Sequence, residues 1–258
     1  MFSSFRLFGT AIGVISVCSV LMSSAQESAE GELPTIAELQ QAYIQSNGGL
    51  SNILEVTSIV AIGELTNAGE EPLNFKLYIK RPGLMRLQIR RDGWDYIKVF
   101  NGKEAYELMQ ADNGALETRE IAEEQFEGLR SEAKIDGPFF DLRTRPELLK
   151  IVGETEVRGE PAYEILVDES ADTPYRRIWL HKEHFYEVKL SRQVIDESAE
   201  VSESTIFLSD FKRVDGLWSA MCIRYFKNDD IIQEVVLDKI LTNVGLFDSY
   251  FEKPSLND

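Results

Sequence analysis

The sequence predicts a mainly β fold with a helical cover, in which one strongly curved or barrel-like antiparallel sheet carries most of the chain. Three observations carry that prediction: apolar residues that alternate with polar ones at period two, tight-turn dipeptides between the alternating runs, and two interruptions with helical spacing. About eleven strands emerge. That is too many for a simple sandwich of ~100 residues, so a curved or closing sheet fits better.

Residues 1–25 read as a secretory signal peptide, with the single charge Arg6, an apolar stretch from Leu7 to Met22 and the small-residue site Ser23-Ser24-Ala25. The expected mature start is Gln26. A membrane anchor is the first alternative, but the stretch is shorter than the ~20 residues a span needs. Lipidation at Cys18 is the second, although Val17 stands where a lipoprotein signal wants a small residue. Residues 26–33 form a Ser-, Glu- and Gly-rich flexible leader, and 34–258 are expected to form a single domain.

Thr35 with Glu38 three residues on predicts a helix over 35–47 whose apolar face carries Ile36, Leu39, Tyr43 and Ile44, stopped by Gly48-Gly49. The period then changes to two. Leu73, Phe75, Leu77 and Ile79 alternate with polar residues, Arg81-Pro82-Gly83 turns the chain, and Met85, Leu87 and Ile89 alternate again. Asp92-Gly93 and Asn101-Gly102 mark further hairpins around Trp94 to Phe100 and Glu104 to Met109. The segment 119–132 reads as an acidic amphipathic helix, followed by Gly137-Pro138-Phe139-Phe140 and a short helix from Pro146. Both helical pieces are expected on the concave side of the sheet. Strands resume at 151–157, 163–167, 175–181, 187–194, 201–211, 217–226 and 231–241.

The formal net charge is -17, and loss of the signal takes away Arg6 and no acid, leaving -18. Such a surface repels phosphate backbones and anionic headgroups, which argues against nucleic acid and against adsorption to a membrane by charge. Cys222 lies between Met221 and Ile223 and reads as a buried apolar thiol without an internal partner after processing. His181 and His184 are the only histidines. With Glu183 or Glu187 they make a poor zinc frame on a turn, since zinc sites want three or four preorganised ligands. No Gly-x-Ser-x-Gly elbow accompanies them, and Glu123-Glu124 reads as a solvated helix face rather than an acid–base pair. The chain is expected to be no enzyme, and to need neither cofactor nor metal.

Six segments together resemble the LolA-type outer-membrane lipoprotein-sorting proteins of bacteria. They are Ala42-Tyr-Ile-Gln-Ser-Asn-Gly-Gly-Leu50, Lys80-Arg-Pro82, Val99-Phe-Asn-Gly-Lys-Glu-Ala-Tyr106, Val152-Gly-Glu-Thr-Glu-Val-Arg-Gly-Glu-Pro-Ala162, Ser209-Asp-Phe-Lys-Arg-Val-Asp-Gly-Leu217 and Phe251-Glu-Lys-Pro254. Each alone is a turn flanked by apolar residues; their succession carries the resemblance. It implies an open, incomplete antiparallel barrel around an apolar cavity, serving in the periplasm as a monomeric carrier of acyl chains or lipidated proteins. An inner-membrane donor and an outer-membrane acceptor would be its partners. The inward rows offered as cavity lining are Leu77, Met85, Leu87, Ile97, Val99, Leu108, Ile165, Ile178, Leu180 and Val188; the alternative for each is ordinary core. A lipid- or lipoprotein-sensing module of the same fold is the second hypothesis, disfavoured because little chain remains for a partner-binding domain. A structural envelope domain without ligand is the third.

Overall fold

The computed structural model describes residues 32–121, 123, 126–195, 201–227 and 229–253. The expected signal peptide 1–25 and leader residues 26–31 lie outside them. Thr35 caps helix α1 (Ile36–Ser46): its hydroxyl accepts from the Glu38 N–H at 3.2 Å while the Glu38 carboxylate accepts from the Thr35 N–H at 2.7 Å, the reciprocal arrangement that Thr-x-x-Glu favours. Gly48 and Gly49 follow at φ 79° and 96°, where a side chain would be strained, and they turn the chain into α2 (Leu50–Glu55).

Strands β1 (Ser58–Asn67), β2 (Leu73–Lys80), β3 (Leu84–Arg91), β4 (Trp94–Phe100), β5 (Ala105–Ala111) and β6 (Leu116–Glu120) run as a meander to one edge of the sheet. A connector containing α3 (Phe126–Glu132) and α4 (Pro138–Asp141) then carries the chain to the opposite edge, β7 (Leu149–Val157). From there β8 (Glu160–Val167), β9 (Tyr175–His181), β10 (Glu187–Ile195) and β11 (Val201–Ser209) work back. After a small ribbon of β12 (Lys212–Val214) and β13 (Leu217–Ser219), β14 (Cys222–Lys227) and β15 (Asp230–Thr242) complete the return, and β15 pairs with β1.

The result is one antiparallel sheet of thirteen strands in the order β6-β5-β4-β3-β2-β1-β15-β14-β11-β10-β9-β8-β7. It is not closed, because β6 and β7 end it without pairing to each other. The fold is therefore a mainly β, open antiparallel barrel with helical cover. Several details differ from the expected strands, among them β1 and β12, which the eleven expected runs do not include. Arg119 and Glu120, the start of the expected 119–132 helix, belong instead to the edge strand β6, where ladder hydrogen bonds to β5 and the Arg119–Glu107 ion pair outweigh helical spacing. The run 217–226 is broken at Ala220-Met221 into β13 and β14.

Register separates two faces. Leu77 pairs with both Ala61 and Leu87, and Leu65 with Val235, which pairs with Ile223; these residues share the inner face. Gly63 sits at a bulge between β1 and β15, and a Cβ there would strike the Val236 carbonyl and Leu237 backbone, so the seam joining the two halves of the sheet needs glycine. On the inner face α1 and α4 cover a core that includes Leu39, Phe139, Ile165, Ile178 and Leu180. Connector residues Ile121, Leu129 and Ala133 cover a second, with Ile79, Met85 and Phe100. The outer face of β4–β5 has its own core, closed by Phe251 of the C-terminal 3-10 turn Asp248–Phe251.

Candidate functional site

Between these inner cores the sheet and its cover leave a cavity of about 480 Å³, within the ~300–1,000 Å³ range of ligand sites. Its sheet wall carries Ile59, Ala61, Leu65, Phe75, Leu77, Met85, Leu87, Leu190, Ile206, Leu208, Ile223, Val235 and Leu237. The facing wall is built from Tyr43 of α1, Asn47 at its C-terminal cap, and connector residues Ser131, Glu132, Lys134 to Pro138 and Asp141. Alternation puts the apolar row inward, and the β1–β15 seam makes the row continuous across both halves of the sheet.

The motifs that carry the family resemblance have physical jobs around this cavity. The Ser46-Asn47-Gly48-Gly49 end of α1 is fastened to the β12–β13 ribbon: the Trp218 N–H donates to Asn47 Oδ1 at 3.0 Å, Trp218 Nε1–H donates to Ser46 Oγ at 3.1 Å, and Arg213 donates to the Ser46 carbonyl. Trp218 and Asn47 both border the cavity, so this clasp sets how far α1 stands off the sheet. Arg81, which the sequence offers as a turn residue and as part of the Lys80-Arg-Pro82 segment, reaches under the connector. Its guanidinium holds the Asp136 carboxylate bidentately at 2.5 and 2.8 Å and donates from Nε to the Val56 carbonyl at 2.7 Å. The Asp136 side chain is only 9% exposed, so this pair is largely withdrawn from solvent.

Glu187 is the second residue that sequence reading placed elsewhere, as a metal alternative. It lies at a bulge in β10, borders the cavity and is buried. Its carboxyl accepts the Phe139 N–H at 2.8 Å, and a Cβ on Gly137 would overlap it. Burial pushes its pKa up to about 7, the Phe139 hydrogen bond opposes the rise, and Asp141 and Asp136 add to it. Tyr43, beside it, is raised well above the usual phenol value, mainly by burial and then by the Glu187 charge.

Leu77, Met85 and Leu87 border the cavity. Ile165, Ile178 and Leu180 are on the inner face but fully buried in one packed cluster with Leu39, Phe139 and Leu142, so they are core. Ile97, Val99 and Leu108 are on the outer face beneath Phe251: Ile97 pairs with Gln88 and Val99 with Arg86, the opposite parity to Leu87 and Met85. Val188 is outward as well, against Trp179 and Ala162, because the bulge between Glu187 and Lys189 shifts the alternation of β10 by one residue. The placement of these seven is a correction to the expected lining.

His181 is buried, its Nδ1 accepts the N–H groups of Glu183 and His184 at 3.1 Å each, and its ring stacks on His184. Among the described residues no three His, Cys, Asp or Glu side chains are grouped to hold a metal ion. None of the described helices is long and apolar enough to cross a membrane.

Compared with solved structures, the chain is similar to the LolA superfamily protein NE2245 from Nitrosomonas europaea, with a TM-score of 0.50 and 10% identity over 86% of this chain and 99% of that one. Weaker likenesses are to the Mycobacterium tuberculosis lipoprotein LppX, TM-score 0.32, 7% identity, 82% and 97% covered, and to LprF from Mycobacterium bovis, TM-score 0.31, 11% identity, 85% and 97% covered. No protein-family model and no curated protein matches. The fold is LolA-like.

Proposed function

We propose that this chain is an exported carrier that holds the acyl chain of a lipid or lipidated protein in the inner cavity, and that it works in the periplasm in outer-membrane lipoprotein sorting. The observation that carries the reading is the continuous apolar wall that spans both halves of the open sheet around about 480 Å³. A methylene needs about as much room as a liquid water, ~30 Å³, so there is space for at least one chain of about sixteen carbons. Each buried methylene contributes about 0.8 kcal/mol, which an apolar wall supplies without precise polar groups. The LolA-like fold supports the same reading.

The Arg81–Asp136 bond pins the connector to the sheet, so any cargo entry that displaces the connector has to break it. The acidic surface keeps the loaded protein off anionic bilayers, and a membrane protein on each side would supply and receive the cargo. Catalysis has no part in the proposal. Delipidated protein, titrated with a fluorescent fatty acid, is expected to bind one equivalent with the emission shift of an apolar site; a folded protein that binds none refutes the reading.

A further inference from the structure

The cavity is not apolar all round. Arg192, Tyr175 and Tyr225 border it together on the β9, β10 and β14 side. Arg192 and Tyr175 are cross-strand partners, and the Arg192 guanidinium carbon lies 5.5 Å from the centre of the Tyr225 ring. Burial raises the pKa of both phenols, Ser131 and then Arg192 oppose the rise at Tyr175, and at Tyr225 Glu132 adds to it while Arg192 opposes it, so both hydroxyls stay protonated at any physiological pH.

Arg192 is under-used by the protein. Its side chain is 15% exposed, and its Nε has no hydrogen-bond partner among the described residues. Its ion-pair partner among the described residues, Glu132, stands 3.6 Å from Nη1, beyond hydrogen-bonding range, and is half in solvent. Lys134, the other cation that borders the cavity, is paired with Asp141, and Asp136 is held by Arg81. Glu187 has no cation, but it is five residues back along β10, about 15 Å away at the rise of a strand, and does not face the Arg192 end. A largely buried guanidinium with an unmet donor is costly unless an anion completes it, and its planar fork matches carboxylate or phosphate oxygens.

We propose that the Arg192 end of the cavity receives the anionic head of a single-chain amphiphile, a carboxylate or a phosphate, with the Tyr175 and Tyr225 hydroxyls as further donors and the chain along Leu190, Ile206 and Leu208. The inference rests on the cavity being an acyl site and adds what lies at the end of the chain.

The test uses the delipidated mature protein and four probes of equal chain length: palmitate, hexadecyl phosphate, hexadecanol and hexadecyltrimethylammonium. Hydrogen bonds to a charged group predict that palmitate or the phosphate binds at least about tenfold more tightly than the alcohol, that the cationic probe binds weakest, and that the advantage of the acid shrinks at high salt. Whichever of the first two wins identifies the head. In Arg192→Met, which keeps the packed stem, the advantage over the alcohol is lost, and Arg192→Lys restores part of it. Equal affinities for acid and alcohol in the wild type, or an equal loss of both in Arg192→Met at unchanged melting temperature, overturn the inference and leave the acyl site standing. If no probe of any head binds, the acyl site falls and the inference with it.

Discussion

Replacing Glu187 with Gln removes the one buried acid of the cavity wall that has no cation beside it, while an amide oxygen remains to accept the Phe139 N–H. The wild-type carboxyl has its pKa raised from 4.5 to about 7. Between those two values the folded protein keeps a proton that the unfolded chain releases, so stability falls as pH rises through that window and is level above it. At 1.36 kcal/mol per unit, the loss is about 3 kcal/mol. Glu187→Gln does not undergo it. The variant is therefore expected to match the wild type near pH 4.5 and to exceed it by up to about 3 kcal/mol at pH 8, a difference of roughly 10 °C in melting temperature for a domain of this size. Acids held below their usual pKa, such as Glu38 through Thr35 and Asp168 through Ser170, change stability in the opposite direction in both proteins and cancel in the comparison. Chemical denaturation of wild type and variant at half-unit steps from pH 4.5 to 8 reads the difference directly. Parallel curves would mean that water reaches Glu187 freely, and would refute the description of this wall as desolvated.

Three further outcomes follow from the geometry. Asp136→Asn leaves the Arg81 guanidinium with a weaker, neutral partner, so the connector should exchange its amide protons faster and the protein lose about 1–3 kcal/mol in denaturant melts; unchanged exchange between residues 131 and 141 would remove the connector from the list of movable walls. Leu87→Asp places a charge in the cavity wall and is expected to abolish acyl-probe binding with the protein still folded, whereas Val99→Asp, in the fully buried outer core, should unfold the protein outright; paired melts and titrations that show the same defect in both would contradict the assignment of faces. Phe251→Ala empties the outer core and should cost about 3–5 kcal/mol while leaving probe affinity per folded molecule within twofold; a selective loss of affinity would show that the outer face, not the inner, holds the chain.

Much of the architecture is legible because antiparallel pairing, hairpin turns and period-two alternation are local. The α1 cap, ten of the hairpin-linked strands' positions around Phe75, Leu87 and Ile165, and the interruption before β7 all follow from neighbours a few residues apart. What alternation cannot say is which side of a strand faces inward. On β4 and β5 both faces are apolar, and the outer one is closed by Phe251, which arrives at the far end of the chain; Ile97, Val99 and Leu108 thus look the same as true lining. A single bulge reversed Val188 and turned Glu187 into the wall. Ile165, Ile178 and Leu180 face the right way, but whether a residue lines a void or a packed core depends on Leu39 and Phe139, which approach from other elements. The strand β6 escaped because an exposed edge keeps only Leu116 half-buried and otherwise presents polar residues, leaving no alternation to read. Arg81 carried a signal in the Lys80-Arg-Pro82 motif, yet its partner Asp136 is 55 residues away.

The central claim, that an acyl chain occupies the inner face of the open sheet, is tested most directly by photo-crosslinking. A palmitate analogue with a diazirine near its tail is bound to the delipidated protein and irradiated, and the labelled peptides are identified by mass spectrometry. Labels on the inner row, at Leu77, Leu87, Leu208 or Val235, competed away by unlabelled palmitate, are the predicted result. Labels confined to the outer face around Val99, Leu108 and Phe251, or labelling that palmitate does not compete, would contradict it.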